Sequence, residues 1–312
     1  MIQVDILLSE DQIAKEFMDA LDQHDLPEKF FYWFPLSIRA WINLCGDGAY
    51  RNYVRSHSVL QNHAAQIVSM LPSEPIELIS LGAGQGTKDF LIMGHLQKQG
   101  KYLNYRPVDA SQGLLEIACQ SAKDKNFACR GLKADLNNDS HLTEMPAILD
   151  DKPRLIMILG NTLGAFDPLK FASKLDNIMR PQDFLILDGE LFNQTDTLAG
   201  YDNPINRQFA FGPLSSVGLS EPNDGRLHIQ TDIDNRQSGL YRIRKHFRAS
   251  RDLKIMLAGE TVQIQSDTNI EMSWSYKYDR DALKGLITSS GMQLVAEYLS
   301  TDKRFLTLLV KK

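Results

Sequence analysis

The spacing of apolar and polar positions changes several times along this chain, and each change marks a different kind of structure. Residues 9–24 place Ile13, Phe17, Ala20 and Leu21 at helical spacing, with Ser9 and Gln12 at the positions of a capping box, so an amphipathic helix is predicted there. An unusually aromatic stretch, KFFYWFPLSIRAWINLC, follows; a GDG turn then leads into a helix predicted to run to Pro72. From residue 76, short apolar runs alternate with helical segments. The predicted strands are 76–81, 103–108, 128–132, 154–159 and 184–188, and the predicted helices among them are 87–99, 112–123 and 168–179. Strands that are near-continuously apolar are expected where helices cover both faces, which predicts a parallel, doubly wound α/β sheet.

After Glu190 the alternation stops. A Gly/Asn/Pro-rich stretch, GYDNPINRQFAFGPLSSVGLSEPNDG, precedes two alternating strands, RLHIQTDID and LYRIRKHFRA, whose NRQSG connection is a hairpin signature. Order returns with a helix at 280–289 and strands at 292–299 and 305–310. Residues 195–278 therefore read as an insertion ahead of the last helix. Residues 1–70 are expected to join it in a smaller α+β domain that faces the substrate, while 71–194 and 279–312 form the ligand-binding core.

Composition narrows the function classes. The chain has 312 residues, 43% hydrophobic and 23% charged, which suits one large domain or two modest ones without disulfide staples. A net charge of −5 spread over both signs leaves no basic stripe, so neither nucleic acid nor an anionic membrane is an expected partner. Cys45, Cys119 and Cys129 form no C-x-x-C pair and fit a reducing compartment. The apolar run near the N-terminus is too short for a signal peptide, and no window approaches the roughly 20 apolar residues of a membrane span. A cytoplasmic protein is expected. His57 and His63 are spaced so that they share no helix face, and no metal site is expected.

The candidate chemistry gathers at the ends of the predicted strands. In LGAGQGTK, Gly82, Gly84 and Gly86 remove side chains from a turn at the carboxyl end of a strand, where an open α/β sheet binds its ligand. The G-x-G-x-G spacing is neither a dinucleotide fingerprint nor a P-loop. Asp109 ends the second strand, where a carboxylate can accept both hydroxyls of a ribose; Ser111 is then free to cap the next helix. Asp135, followed by Leu136, lies after the third strand, where an acid can accept from an adenine amino group. ILGNTLGAFDP follows the fourth strand and puts the polar Asn161 and Thr162 inside an apolar run, beside Gly160, which marks them as functional. Three loops at three successive strand ends describe a nucleoside pocket, and without a phosphate loop the ligand they suit is an adenosyl group.

The series KFFY, LGAGQGTK, RPVDAS, LGNTLGAFDP, LILDGELF, GYDN and EMSWSYKY…GMQLVAEYLSTDKRFLTLLV resembles the histidine-specific, S-adenosylmethionine-dependent methyltransferase family, whose known member makes N-α-trimethylhistidine for ergothioneine. The match in order and spacing runs from about Phe30 to the end. The resemblance implies a class I, Rossmann-like methyltransferase: a mostly parallel seven-stranded sheet ending in an antiparallel hairpin, with the smaller substrate domain added. It implies S-adenosyl-L-methionine contacts from Gly82, Gly84, Lys88, Asp109, Asp135, Leu136 and Gly160. It implies an amino-acid-like small-molecule substrate contacted by Tyr32, Tyr50, Tyr201 and Ser275. Asn161 and Ser273 join them as substrate candidates from their own positions in the chain, Tyr32, Trp33 and Phe34 are the expected roof, and Tyr50, Tyr201 and Asn161 are the catalytic candidates. The reaction would be in-line attack of a neutral amine on the sulfonium methyl, in a monomer or weak homodimer.

Two positions depart from the family pattern. Ala165 stands where the family has an Asn that anchors the amino-acid backbone, and Ser273 stands where it has an acid that grips the imidazole. Asn161 and Glu271 are the candidate replacements. The alternatives are the same reaction on a non-histidine metabolite, an S-adenosylmethionine-binding protein without turnover, and a nicotinamide-dependent oxidoreductase. The glycine spacing and the terminal hairpin both disfavour the oxidoreductase.

Overall fold

The computed structural model describes residues 2–48, 50–148 and 152–312. The N-terminal segment consists of strand β1 (Val4–Ile6), helix α1 (Glu10–Asp22), a 3₁₀ turn (Glu28–Tyr32) and helices α2 (Pro35–Gly46) and α3 (Arg51–Ser69). Ser9 caps α1 by accepting from the Gln12 N–H at 3.1 Å, while the Gln12 side chain turns to Glu16, so only the forward half of the capping box forms. The alternating region follows: β2 (Ile76–Leu81), α4 (Asp89–Lys98), β3 (Tyr102–Asp109), α5 (Gln112–Asp124), β4 (Gly131–Lys133), α6 (Asp139–Ile148), β5 (Arg154–Ile158), α7 (Pro168–Ile178) and β6 (Phe184–Glu190). Next come α8 (Gln194–Tyr201), α9 (Pro204–Ser216) and strands β7 (Gly225–Ile233), β8 (Leu240–Ala249), β9 (Leu253–Leu257), β10 (Glu260–Ile264) and β11 (Asn269–Tyr278). Helix α10 (Arg280–Ser289) and strands β12 (Gln293–Leu299) and β13 (Phe305–Lys311) close the chain.

Among the described residues, eight strands form the main sheet in the order β1-β4-β3-β2-β5-β6-β13-β12. The strands from β1 to β6 are parallel to their neighbours; β13 runs antiparallel to both β6 and β12. The order turns back at β2 and β5, so this is where the sheet leaves a crevice for a ligand. Successive residues of one strand serve opposite layers. Leu78 and Met157 join a core with Val59, Leu60 and Ile92, whereas Ile79 and Ile158 join one with Phe171, Leu283 and Leu286. Every residue of β2 and β5 is buried, Glu77, Ser80 and Arg154 included, which is why the sequence shows near-continuous apolar runs there.

The sheet has one strand more than the seven expected. Val4–Ile6 pairs with Gly131–Lys133 along the outer edge, so the apolar run near the N-terminus covers an otherwise open strand. The strand expected at 128–132 is confined to Gly131–Lys133, with Cys129 adding an isolated bridge to Tyr105. Helix α8 leads into the Gly/Asn/Pro-rich stretch and α9 lies within it: Asn193 and Asn203 cap α8 and α9 through their side chains, and Pro204 takes the first position of α9, where it sacrifices no hydrogen bond. A further apolar cluster joins Phe17, Phe30 and Phe31 of the N-terminal segment to Phe209, Phe247 and Ile270 of the segment after β6.

Candidate active site

A cavity of about 300 Å³ lies beyond the carboxyl ends of β2, β3, β4 and β5, between the sheet and the elements of the aromatic cluster. Its lining includes Gly82, Gly84, Lys88, Asp109, Asp135, Leu136 and Gly160, and also Tyr32, Tyr50, Asn161, Tyr201, Ser273 and Ser275. Residues far apart in sequence thus meet in one space.

The sheet-side wall is built on backbone that only small residues tolerate. Gly82, Gly84 and Gly86 all have positive φ, and a Cβ on Gly82 would lie 2.6 Å from the Thr162 methyl. Asp109 accepts the Gly84 and Ser111 N–H groups at 2.9 Å each, and the Ser111 hydroxyl caps α5. Burial pushes the Asp109 carboxyl up against the opposing pull of these backbone donors. A carboxylate has about four lone-pair sites, so Asp109 keeps acceptor capacity toward the cavity. Asp135 accepts from Lys29 at 2.6 Å and from the Asn137 N–H at 2.8 Å. Lys88, at the start of α4, carries its ammonium to the backbone of Gly160, so that a Cβ on Gly160 would collide with it.

The loop after β5 is pinned by buried acids of β6. Asn161 adopts a left-handed backbone, φ 62°, and its N–H donates to Asp188 at 2.8 Å. Its side-chain amide donates to Ser275 Oγ at 3.2 Å and to the Tyr276 carbonyl at 3.1 Å, while its oxygen accepts the Glu190 N–H at 3.0 Å. Both amide hydrogens are thereby used. Among the described residues the Asn161 amide thus serves as a strut between β6 and β11, while the residue also lines the cavity. Tyr201 belongs to the adjoining network. Its hydroxyl accepts from Lys277 at 2.7 Å and donates to Ser275 at 3.2 Å, and Lys277 also meets Ser275 at 2.9 Å and Glu190 at 3.1 Å. Burial alone would depress Lys277, but Tyr201 and Glu190 outweigh it and raise its pKa.

The opposite wall is aromatic. Tyr32, Trp41 and Phe209 line it, with ring centroids 5.2 to 5.4 Å apart, while Trp33 and Phe34 pack into the aromatic cluster and lie outside the lining, contrary to the expected roof. Trp33 instead donates to Glu10 at 2.7 Å. Burial drives the Tyr32 and Tyr50 hydroxyls well above their usual range, so both stay protonated. The Tyr50 hydroxyl has no hydrogen-bond partner among the described residues.

Glu271 is not the acid of this wall. Its carboxylate forms a two-point pair with Arg244, at 3.1 and 2.6 Å, and does not line the cavity. A bulge between Glu271 and Trp274 breaks the strand alternation that would otherwise put Glu271 and Ser273 on one face. The acid present is Glu28, from the 3₁₀ turn, which accepts from Tyr32 at 3.0 Å and from the Ser273 hydroxyl. Glu28 and Lys245 carry no motif and escape a search for one. The usable signal is Lys245 itself, a charge between Ile243 and Phe247 on the inward face of a strand.

A parallel sheet that ends in an antiparallel hairpin, with a glycine turn and acids at successive strand ends, defines a class I S-adenosylmethionine-dependent methyltransferase. The chain belongs to the family described as "Histidine-specific methyltransferase, SAM-dependent", which it matches over residues 13–312. It is 24% identical over 264 residues to ergothioneine biosynthesis protein 1 of Neurospora crassa, covering 81% of this chain but only 29% of that protein. It is 23% identical over 261 residues to a 4-dimethylallyltryptophan N-methyltransferase of Aspergillus fumigatus, covering 78% of this chain and 77% of that enzyme. Among solved structures, magnesium protoporphyrin IX methyltransferase from Synechocystis with bound SAH aligns with 91% of this chain and 96% of its own at 12% identity, with a TM-score of 0.49.

The residues present suit the family's cofactor. The side-chain-free turn at Gly82 to Gly86 admits close approach of a ligand, Asp109 retains acceptor sites, and the acids along this wall disfavour a polyphosphate. Among the described residues, no helix is long and apolar enough to cross a membrane.

Proposed function

We propose that this protein transfers a methyl group to the amine of an amino acid or an amino-acid-derived small molecule. The observation that carries the proposal is the meeting of the glycine turn, Asp109 and Asp135 with Tyr32, Tyr50, Tyr201 and Ser275 in one cavity. The two relatives, one in ergothioneine biosynthesis and one named for a tryptophan derivative, support an amino-acid-like acceptor. The segment after β6, with the N-terminal helices, supplies the acceptor side of the cleft.

In this mechanism Asp109 holds ribose hydroxyls, Asp135 and Leu136 hold the adenine, and Lys88 beside Gly160 meets the methionyl carboxylate. S-adenosylmethionine, when bound, supplies a methyl group on a sulfonium. The chain's main task is then to hold the amine in line with that methyl, an entropic contribution of several kcal/mol. A free α-amine has a pKa of about 8, so part of it is already neutral near pH 7 and no dedicated base is required. Tyr50 orients the amine through its free hydroxyl, and Tyr201 does so from the Lys277–Ser275 network. Asn161 acts through the loop it braces.

The test is incubation with S-adenosylmethionine and a panel of amino acids and their decarboxylated or prenylated derivatives, read by mass spectrometry for added methyl groups. Methylation of at least one amine is expected; cofactor binding with no transfer to any of them would favour a silent binding protein.

A further inference from the structure

Lys245 is 4% exposed, yet its ammonium makes no hydrogen bond to any described residue. The nearest counter-charge is Glu28 Oε2 at 4.0 Å, and the Phe31 ring centroid lies 4.8 Å away. Burial pulls the Lys245 pKa down, against the pull of Glu28 and with the push of Lys277. A buried ammonium with no hydrogen bond and only a distant counter-charge is costly, so its donors call for an acceptor from a ligand. Across the sheet from Lys245 lies the bulge of β11, where Ser273 takes a positive φ of 67° and places its hydroxyl on Glu28. Glu28 therefore stands fixed in the cavity by Ser273 and Tyr32, with acceptor sites to spare.

Position along β11 separates this cluster from the transfer end. Ser275 bonds Tyr201 and Asn161 beside the Gly160 loop, and Ser273 lies two residues farther along, about 7 Å in extended chain. We propose that Glu28 and Lys245 select the acceptor by the group remote from its reacting amine, and that this group both donates to Glu28 and accepts from Lys245. A carboxamide or a neutral imidazole has that chemistry. An apolar group would leave the Lys245 donors without a hydrogen bond, an anion would face Glu28, and a cation would face Lys245. The inference rests on the methyl-transfer reading above, but its primary readout is binding.

Glutamine, histidine, leucine, glutamate and lysine would be titrated calorimetrically, near pH 8 so that imidazole is neutral, onto the full chain saturated with S-adenosylhomocysteine. In the unmodified protein, glutamine or histidine is expected to bind at least about tenfold tighter than the other three. Lys245→Met and Glu28→Gln are each expected to cut that advantage below about threefold, with glutamate gaining on Glu28→Gln and lysine on Lys245→Met. Unchanged S-adenosylhomocysteine affinity reports that each variant is folded; two variants at different elements keep the test decisive if one misfolds. An advantage that survives in the folded variant, or a preference of the unmodified protein for an apolar or charged group, would overturn the inference. The expected selectivity with no methyl transfer would instead overturn the enzymatic reading and leave the subsite standing.

Discussion

The backbone N–H of Asn161 donates to the buried carboxylate of Asp188 at 2.8 Å, so the residue that turns the chain after one parallel strand is held by the strand beside it. The left-handed backbone at Asn161 and its three side-chain hydrogen bonds make it a support for Gly160 and Ser275. Asn161→Ala loses those bonds and places an ordinary residue at positive φ, an expected loss of about 3–5 kcal/mol in denaturant unfolding. Asn161→Gly removes only the backbone penalty and should recover about 1 kcal/mol. Equal losses for the two variants would count against the strain.

What was legible in the sequence follows from period and punctuation. The near-continuous apolar runs of β2 and β5 announced buried parallel strands, and the glycine turn needed no tertiary information to be placed at a strand end. Ser111 capping α5 is likewise a local event. The pairing of Val4–Ile6 with β4 depends on an edge made by a distant segment, and three residues are too few to show a period. The bulge at Ser273 inverted the inference about Glu271, because alternation counts residues and a bulge inserts one. Glu28 reaches the cavity only because the N-terminal segment folds onto β11, where Leu26 donates to the Glu271 carbonyl at 2.9 Å.

Lys88 and Gly160 are coupled by contact, which makes a pair of substitutions diagnostic. Lys88→Ala is expected to weaken S-adenosylmethionine binding by about 10- to 100-fold, as loss of a charged hydrogen bond implies. Gly160→Ala displaces the same ammonium and strains a φ of 82°, so it should produce a comparable loss. Because both act on one interaction, the double variant should fall well short of the sum. Calorimetric titration of all three variants checks this; additive losses would place Lys88 away from the cofactor.

Tyr50 and Tyr201 should separate function from stability. The Tyr50 hydroxyl is unpartnered within the described chain, so Tyr50→Phe is expected to change unfolding by less than about 0.5 kcal/mol while lowering kcat/KM by about 10-fold or more. The Tyr201 hydroxyl accepts from the buried Lys277 at 2.7 Å, so Tyr201→Phe leaves a charged donor short of a partner and should cost about 1–3 kcal/mol of stability as well as activity. Paired urea unfolding and initial-rate measurements check the contrast, and a stability loss at Tyr50 matching that at Tyr201 would remove it.

Asp89 gives the stability a defined pH dependence. Burial raises its carboxyl from 3.8 to about 6, against hydrogen bonds from Tyr105 and Ser80 and the charge of Lys88. The folded chain therefore keeps a proton that the unfolded chain has released. The resulting stabilisation is fully present below the unfolded value of 3.8 and is lost as pH rises through about 6. Asp89→Asn keeps an acceptor for Tyr105 and carries no titrating proton. Its stability relative to the unmodified protein should therefore improve by up to about 3 kcal/mol between about pH 4 and pH 7, at 1.36 kcal/mol per pH unit. Denaturant unfolding of both proteins across that range isolates Asp89, because Asp109 and Asp188, also raised by burial, are present in each. A difference between the two proteins that stays flat with pH would show that Asp89 is already ionised in the folded state at low pH.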